Sequence, residues 1–550
     1  MECAKKMAVL LLVLLAGTTF AADLPSGQDA GKHIYRDGKL PSGALLRGVL
    51  RNGTELSGAD AACAKCHRRS GMGSGEGQKV IRPISGRLLF EPPDVTVTER
   101  HQRSVQAQAG RERPPYSVKT LARVLREGVD PSGRSLDELM PRFDMNDEEI
   151  VQLASYLKGL SRETAPGVSE SEIHFATVVT PGVDPARTEA MLDVLEAFFS
   201  SKNAGTRKEG NRKSIDRERM YSSYRTWVLH IWKLEGLPET WSAQLEDYYR
   251  KQPVFAMLSG VGAGNWRPVH EFCEQAGLPC LFPNVDYPVV SETDYASIYF
   301  SRGIMLEAEV LAKHLADAGL KGQSGPIVQV FRDDAIGRVP PRALRSALRR
   351  SGINDVSDHP LAGEQPVSAA FCLKLASETK PGGLVLWLND NDVNALHKQC
   401  DALFSGIENI YLSGSLIAQP QKILQVDGWL DRVRLVYPFE LSERRAQRLS
   451  RMQHWLEARN IPLREERVQA GAYFAAAIAG DALSLMGENF SRDYFIERVE
   501  KMTENSLSSA VYPRLSLGAG QRFASRGAYV ARFTGDGESK LVPVSGWIVP

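Results

Sequence analysis

The stretch Cys63-Ala64-Lys65-Cys66-His67 carries the strongest signal in this chain of 550 residues. Two thiols separated by two residues, with a histidine directly after the second, have the spacing at which both sulfurs bond to one haem while the imidazole reaches its iron. Zinc would need a second ligand pair at similar spacing, and the remaining cysteines are not so arranged. A thioredoxin-like redox pair has no need of His67. The motif therefore predicts one covalently bound haem c, attached at Cys63 and Cys66, with His67 as an axial ligand of the iron.

Two methionines ahead of the helical pattern of residues 151–157 compete for the other axial position. Met145 stands directly before Asn146, a good N-cap whose capping-box partner is Glu149, so Met145 is explained as the apolar residue that packs back on the helix. Met140 has no such structural duty, and the proline after it favours an extended loop. Met140 is therefore the predicted second axial ligand. Ligation by its thioether would make the haem an electron carrier and not a gas-binding site.

His101 and Met72 are the alternative ligands on that side of the haem. His101 lies in a polar run that resembles a solvated loop. Met72 is close to Cys66 in sequence and lies in the glycine-rich stretch 71–77. This stretch lacks the Lys-Ser/Thr pair and the preceding strand of a phosphate-binding loop, so it is interpreted as the loop after the haem-binding helix.

Residues 31–160 resemble a class I cytochrome c domain. The likeness rests on the cysteine-histidine motif, on Arg82-Pro83-Ile84 where the family often has a proline-bearing loop beside the proximal histidine, and on Met140-Pro141 before the closing helix. The resemblance implies an all-α domain with a partly exposed haem edge for electron exchange. The chain departs from the family in a long lead, residues 31–62, and in a long insertion between Pro83 and Met140.

The amino terminus has the pattern of a secretory signal. Lys5 and Lys6 precede an apolar run, residues 7–16, and small residues follow up to Ala21 and Ala22. The apolar run is shorter than the roughly 20 residues that span a bilayer, so no membrane span is expected after cleavage. These features predict a periplasmic protein. The balance of 67 basic and 66 acidic residues gives no reason to expect nucleic acid as a partner.

Four further cysteines could form two disulfides in an oxidising compartment. The favoured pairs are Cys273 with Cys280 and Cys372 with Cys400, because the members of each pair are close in sequence; buried free thiols are the alternative.

Beyond residue 166, short apolar runs alternate with longer amphipathic stretches. The predicted strands of the first series are 173–179, 227–232, 254–258 and 280–282, and those of the second are 327–331, 384–388 and 410–412. Strands alternating with helices indicate parallel sheets covered on both faces, and two series indicate two lobes with a cleft between them. The stretches 470–486 and 492–502 are predicted to be buried helices. The predicted domains are thus a signal peptide (1–22), a monohaem domain (23–165) and a two-lobed α/β domain (166–550).

The last of these segments resembles the type I periplasmic binding proteins, in particular the branched-chain amino-acid-binding branch. The residues that carry the likeness are, in chain order, 258–262, 299–302, 331–337, 512–520 and 527–529. In that family hydroxyls and backbone N–H groups hold the carboxylate of the ligand. The resemblance implies that the loop 259–264, with Ser259, Gly260 and Gly262, forms this part of the site and that Trp266 adds an apolar wall. It also implies that the loops 389–392 and 413–415, with Asn389 and Ser413, face them from the other lobe. The alternative is that the glycines only turn the chain.

The sequence therefore predicts a periplasmic cytochrome c that exchanges electrons with an unidentified redox partner and carries a module for a small, amino-acid-like ligand. Two rival functions remain open: a subunit of a dehydrogenase that oxidises a small organic substrate, and a solute receptor for transport. The chain shows no second cofactor motif, no Ser-His-Asp order and no metal cluster in its larger part, which favours a protein that is not itself an enzyme.

Overall fold

The computed structural model describes residues 27–76, 79–92, 113–210, 225–291, 293–317, 325–363, 365–378, 382–400, 407–417, 429, 431–505, 510–534 and 540–550. The described residues up to Leu160 form one compact unit, and those from Ser161 onward form a second. The predicted signal segment and His101 lie outside the described residues. Within these ranges the structure contains no helix with the length and apolar character needed to cross a bilayer.

The first unit combines five helices with five short strands. The helices are α1 (Gly27–Asp37), α2 (Cys63–His67), α3 (Gly86–Phe90), α4 (Val118–Glu127) and α5 (Asp147–Gly159). The strands are β1 (Arg47–Val49), β2 (Glu55–Ser57), β3 (Ser74–Glu76), β4 (Lys79–Ile81) and β5 (Arg142–Phe143). Strands β2, β1 and β5 form an antiparallel sheet, and β3 pairs with β4. The predicted helical domain is confirmed, with these small strands added.

Helix α5 begins where the sequence predicts it. The Asn146 side chain accepts a hydrogen bond from the Glu149 backbone N–H at 2.9 Å, and the Glu149 carboxylate accepts one from the Asn146 N–H at 2.8 Å. Met145 and Ile150, on either side of this cap, are both buried in the core of the unit. The capping box is therefore confirmed, together with the structural explanation of Met145.

The long lead before Cys63 contains α1, which packs across α5. A Cβ on Gly31 would lie only 2.2 Å from the carbonyl oxygen of Gln152, so glycine permits this close approach of the two helices. The rings of Tyr35 and Tyr156 meet at 5.4 Å between centroids beside this crossing. What the sequence presented as a departure from the family is thus part of the core of the unit.

The second unit contains two sheets. In the first lobe the strands are β6 (Glu172–Val179), β7 (Thr226–Lys233), β8 (Ala256–Leu258), β9 (Cys280–Leu281) and β10 (Ser297–Ile298). They form a parallel sheet in the order β10-β9-β8-β6-β7. The helices of this lobe are α6 (Pro185–Gly210), α7 (Trp241–Lys251) and α8 (Arg267–Gln275).

The second lobe has the larger sheet. Its strands are β11 (Ile327–Arg332), β12 (Val356–Leu361), β13 (Gly383–Trp387), β14 (Ile410–Ser413), β15 (Val433–Tyr437), β16 (Tyr529–Phe533) and β17 (Leu541–Pro543). The order is β12-β11-β13-β14-β15-β16-β17, parallel except for the last two strands. The remaining helices are α9 (Ile304–Asp317), α10 (Val339–Arg350), α11 (Ala369–Glu378), α12 (Asp390–Cys400), α13 (Ser442–Glu457), α14 (Glu466–Ser484) and α15 (Arg492–Asn505). The two predicted series of strands are confirmed; β10, β12 and β15–β17 were not predicted.

Helix α14 joins the two lobes. Its residues Val468 and Tyr473 pack in the core of the second lobe, whereas Phe474 and Ile478 pack in the core of the first. The prediction that this apolar stretch is a buried layer is therefore confirmed.

Both favoured disulfides are present. Cys273 and Cys280 join α8 to β9, and Cys372 and Cys400 join α11 to α12.

Candidate functional site

His67 is the best-defined group of the first unit. Its Nδ1 lies 2.9 Å from the carbonyl oxygen of Arg82, which can only accept, so Nδ1 carries the proton and Nε2 keeps its lone pair. Burial lowers the pKa of His67 below its ordinary value, although the carbonyl opposes this shift. A neutral imidazole with a free Nε2 is the form that binds iron.

The two thiols next to it fit the same purpose. Cys63 and Cys66 lie one turn apart on α2 and form no disulfide, in contrast to the four cysteines of the second unit. The chain leaves α2 at Arg68, with a φ of 68°, and the Arg68 carbonyl accepts a hydrogen bond from the Tyr35 hydroxyl at 2.7 Å. The helix that carries the motif is therefore fixed at its end, and its donor set of two thiols and one neutral imidazole suits a haem c.

Met140 and Met145 have different surroundings. Met145 is 4% exposed, whereas the side chain of Met140 is half-buried at the edge of the core. The Met140 N–H donates to the carbonyl of Asp137 at 3.1 Å, and its own carbonyl accepts from Arg142 Nη1 at 2.6 Å. These bonds fix the backbone of Met140, while its side chain packs against the edge of the core. Ligation of iron by Met140 stays a prediction, as does the alternative Met72, which is also half-buried.

A cleft of about 580 Å³, counted with its solvent-filled mouth, lies in the second unit. The loops after parallel strands of both sheets line it: Asn284 and Asp286 follow β9, Ser415 follows β14, and Phe439 follows β15. Arg467 in the first turn of α14 completes this part of the wall. The cleft thus lies at the carboxyl ends of the strands, where the topology predicts a ligand site.

Two arginines line the cleft, and their partners differ. Arg187 Nη1 lies 4.0 Å from Asp286 Oδ2. Within the part of the chain that the structure describes, the guanidinium of Arg467 makes two long hydrogen bonds, to the carbonyls of Gly414 (3.4 Å) and Ser415 (3.3 Å), and lies 4.8 Å above the ring of Phe439. No carboxylate of the described residues lies within 4 Å of Arg467.

Glu307 is buried immediately behind this wall. Its Oε1 accepts from the Ser415 N–H at 3.0 Å, and its Oε2 has no hydrogen-bond partner among the described residues. Burial raises the pKa of Glu307 to about 7, and the hydroxyls of Ser413 and Ser415 together with the charge of Arg467 oppose the shift. Near neutral pH this carboxyl is therefore partly protonated.

Aromatic rings form the apolar side of the cleft. The Tyr512 ring lies between those of Phe300 and Phe439, at 5.3 Å from each. Burial raises the pKa of the Tyr512 hydroxyl to about 12, so the hydroxyl stays neutral, and it hydrogen-bonds Ser301. This side of the cleft offers no charge to a ligand.

None of the five ligand-site residues predicted from the sequence lines this cavity. A Cβ on Gly260 or Gly262 would lie 3.0 Å or 2.8 Å from the Trp266 ring, so these glycines make room for a buried indole. The structure therefore favours the explanation that they shape the chain. Two of them contact Asn284, a residue of the cavity wall: the Ser259 hydroxyl accepts from its Nδ2 at 3.0 Å, and the Gly260 carbonyl accepts from its N–H at 2.8 Å.

The other two predicted residues have local roles. The Asn389 side chain accepts from the Asp392 N–H at 3.0 Å, at the start of α12. Ser413 is fully buried, and its hydroxyl accepts from the Leu416 N–H at 3.2 Å. Ser415, at the end of the predicted loop 413–415, does line the cavity. Arg467 was not predicted from the sequence; its one signal is that it is the single cation of α14, whose other charged residues are Glu466 and Asp481.

Comparison with known proteins defines the two units. Residues 50–161 match the family model of cytochrome c, a family with covalently bound haem c. A fatty acid ABC transporter substrate-binding protein from Thermomonospora curvata is 14% identical, with a TM-score of 0.51, and the match covers 70% of this chain and 95% of that one. A branched chain amino acid ABC transporter from Thermus thermophilus with bound valine is 12% identical, with a TM-score of 0.54 and coverage of 70% and 98%. No curated protein matches the chain.

The chain is thus a fusion of two known folds. The first unit is a cytochrome c domain, and the second has the fold of the type I periplasmic binding proteins, as the sequence predicts. At these identities the structural likeness establishes the fold of the second unit alone.

Proposed function

We propose that this protein is a periplasmic cytochrome that transfers electrons through one covalently bound haem c and binds a small molecule in its second unit. Export is supported by the signal pattern of residues 1–22 and by the two disulfides, which form in oxidising compartments. The redox partner and the ligand are separate molecules that meet different units of the chain.

The observation that carries the electron-transfer proposal is the orientation of His67. The Arg82 carbonyl holds Nδ1 at 2.9 Å, and a ligating histidine typically uses its second nitrogen in this way. Such a bond fixes the tautomer and the plane of the ring and makes Nε2 a better donor. A histidine with only a packing role would not need to follow two cysteines at this spacing that form no disulfide.

The haem supplies reversible one-electron chemistry at its iron. Cys63 and Cys66 would hold its edge through thioether bonds, and His67 would bind the iron on one side. Met140 would supply a second ligand to the iron through its thioether, and a haem held in this way would serve electron transfer.

A haem stain of the denatured mature protein tests covalent attachment, and difference spectra test the ligands. We expect the far-red band of sulfur-ligated ferric haem in the wild type and its loss in Met140→Ala. Met72→Ala and Met145→Leu serve as matched controls and should retain it. Absence of covalent porphyrin would refute the haem assignment, and a band that survives in Met140→Ala but not in Met72→Ala would move the axial ligand to Met72.

The binding proposal for the second unit rests on the cleft at the strand ends of both sheets. Thermal-shift screening of the full-length protein with small organic acids, amino acids and alcohols tests it. A ligand that binds only the folded unit stabilises it by RT ln(1 + [L]/Kd), so the melting temperature rises with ligand concentration. A screen in which no compound binds would contradict this half of the proposal and leave the haem assignment unaffected.

A further inference from the structure

We infer that the cleft selects small organic carboxylates with apolar tails, in preference to amino acids of the same shape. This inference rests on the proposed binding function of the second unit and names its ligand class. It depends on three features of the cleft: the charged residues of its wall, the two helices whose amino-terminal ends lie at the cavity, and the aromatic rings of its apolar side.

Arg467 provides the anion site. It is the charged group of the wall without a carboxylate within 4 Å among the described residues, and its two carbonyl contacts, at 3.3 and 3.4 Å, are long. A guanidinium in this state gains most from an anion that forms short, charge-assisted hydrogen bonds with it. Its position over the Phe439 ring keeps the group oriented before a ligand arrives.

Two helix dipoles support the same sign of charge. Helix α9 begins directly after Gly303, and α14 begins with the turn that carries Arg467 and Val468; all three residues line the cleft. The amino-terminal ends of both helices therefore lie at the cavity and add positive potential to that of Arg467.

The wall offers little to an ammonium group. A zwitterionic ligand needs an ionised carboxylate as well as a cation, since an unpaired ammonium group is costly to desolvate. Asp286 already faces Arg187 at 4.0 Å. Glu307 lies fully buried behind Ser415, and burial disfavours its ionised form.

The rest of the ligand would meet aromatic surface. The rings of Phe300, Tyr512 and Phe439 form a continuous side of the cleft, and the Tyr512 hydroxyl is engaged with Ser301. A branched aliphatic or aromatic tail would bury apolar area there without leaving a polar group unpaired.

Calorimetric titration of the full-length protein with two matched sets of compounds tests the inference. One set is 4-methylpentanoate, leucine and 4-methylpentan-1-ol; the other is 3-phenylpropanoate, phenylalanine and 3-phenylpropan-1-ol. At about pH 6, where all the acids are ionised and Glu307 is mostly protonated, we expect each acid to bind at least about tenfold more tightly than its amino acid and its alcohol.

Substitution of the anion site adds a second readout. Arg467→Gln should weaken binding of the acids about 10- to 100-fold and leave binding of the alcohols unchanged, because only the acids use the charge. Arg464→Gln is the matched control, since Arg464 lies three residues earlier and pairs with Glu189 and Asp193 outside the cleft. Circular dichroism checks folding, and the comparison of ligands on the wild type needs no variant.

Each result is decisive. Tighter binding of the amino acids, or equal binding of acids and alcohols, would overturn the inferred ligand class and leave the binding function standing. If none of the six compounds binds, both the inference and the proposed binding function of the unit would be overturned.

Discussion

Replacement of Glu307 by glutamine should change how the stability of the binding unit depends on pH. The carboxyl is fully buried, and its pKa in the folded protein is about 7 against an ordinary value of 4.5. The folded state therefore holds the proton more tightly than the unfolded state. The resulting stabilisation is complete below about pH 4.5 and is lost as the pH rises through 7.

The magnitude follows from the displacement of this pKa. A shift of roughly 2.5 units at about 1.4 kcal/mol per unit corresponds to about 3 kcal/mol of unfolding free energy lost between pH 4.5 and pH 8. Glutamine keeps the size and the acceptor oxygen for the Ser415 N–H but has no proton to lose. Its stability should lack this decline. Other titrating groups contribute equally to both proteins and cancel in the difference.

Denaturant unfolding followed by tryptophan fluorescence measures this difference in the binding unit, which contains Glu307. All 8 tryptophans lie between Trp227 and Trp547, so the signal reports the binding unit and not the cytochrome domain. The wild type and Glu307→Gln would be compared at several pH values from 4.5 to 8. Glu443→Gln, at an exposed carboxyl of α13, is the control and should follow the wild type. Parallel curves for the wild type and Glu307→Gln would refute the reasoning.

Three further changes test the packing of the fold. Gly31→Ala should destabilise the cytochrome domain by about 1–3 kcal/mol, because the new Cβ meets the Gln152 carbonyl, and the change in the haem spectrum on unfolding in guanidinium would report it. Asn146→Ala should cost about 1 kcal/mol in the same assay through the lost cap of α5, and Asn146→Asp should retain most of it. Replacing Cys372 and Cys400 by alanine opens a loop of 28 residues and should cost about 3–4 kcal/mol in tryptophan-monitored unfolding; an unchanged midpoint would contradict this.

The cytochrome domain was largely predictable because its chemistry is local in sequence. Cys63, Cys66 and His67 lie within five consecutive residues. The capping box of α5 is formed by Asn146 and Glu149, which lie within four consecutive residues. The contact between His67 and Arg82 spans only 15 residues, and the resemblance to class I cytochromes c implied that the 82–84 loop lies beside this histidine. The packing of α1 on α5 was not predicted, because it joins residues more than a hundred positions apart and its one sign is a single glycine.

The sequence predicted where in the fold the cleft lies, but it did not predict which side chains line it. Alternation of strand and helix fixes where strands end, and the cavity is found there. Which residues reach it depends on loop geometry: Ser413 is buried, whereas Ser415 lines the wall. The glycine-rich loop was expected to approach a ligand, but Trp266 occupies the space beside it. No local pattern distinguishes a glycine that admits an indole ring from one that admits a ligand.

Helix α14 connects the stability of the binding unit to its chemistry. Its first turn carries Arg467 into the cleft, while the turns that follow are buried in the cores of both lobes. A charge at the start of such a helix is held in place by the packing of the whole element, so little conformational entropy is lost when an anion binds. Arg187, by contrast, is already turned toward Asp286. The fold therefore makes Arg467 the more effective anchor of the two, and places it where a bound ligand would contact the element that both lobes share.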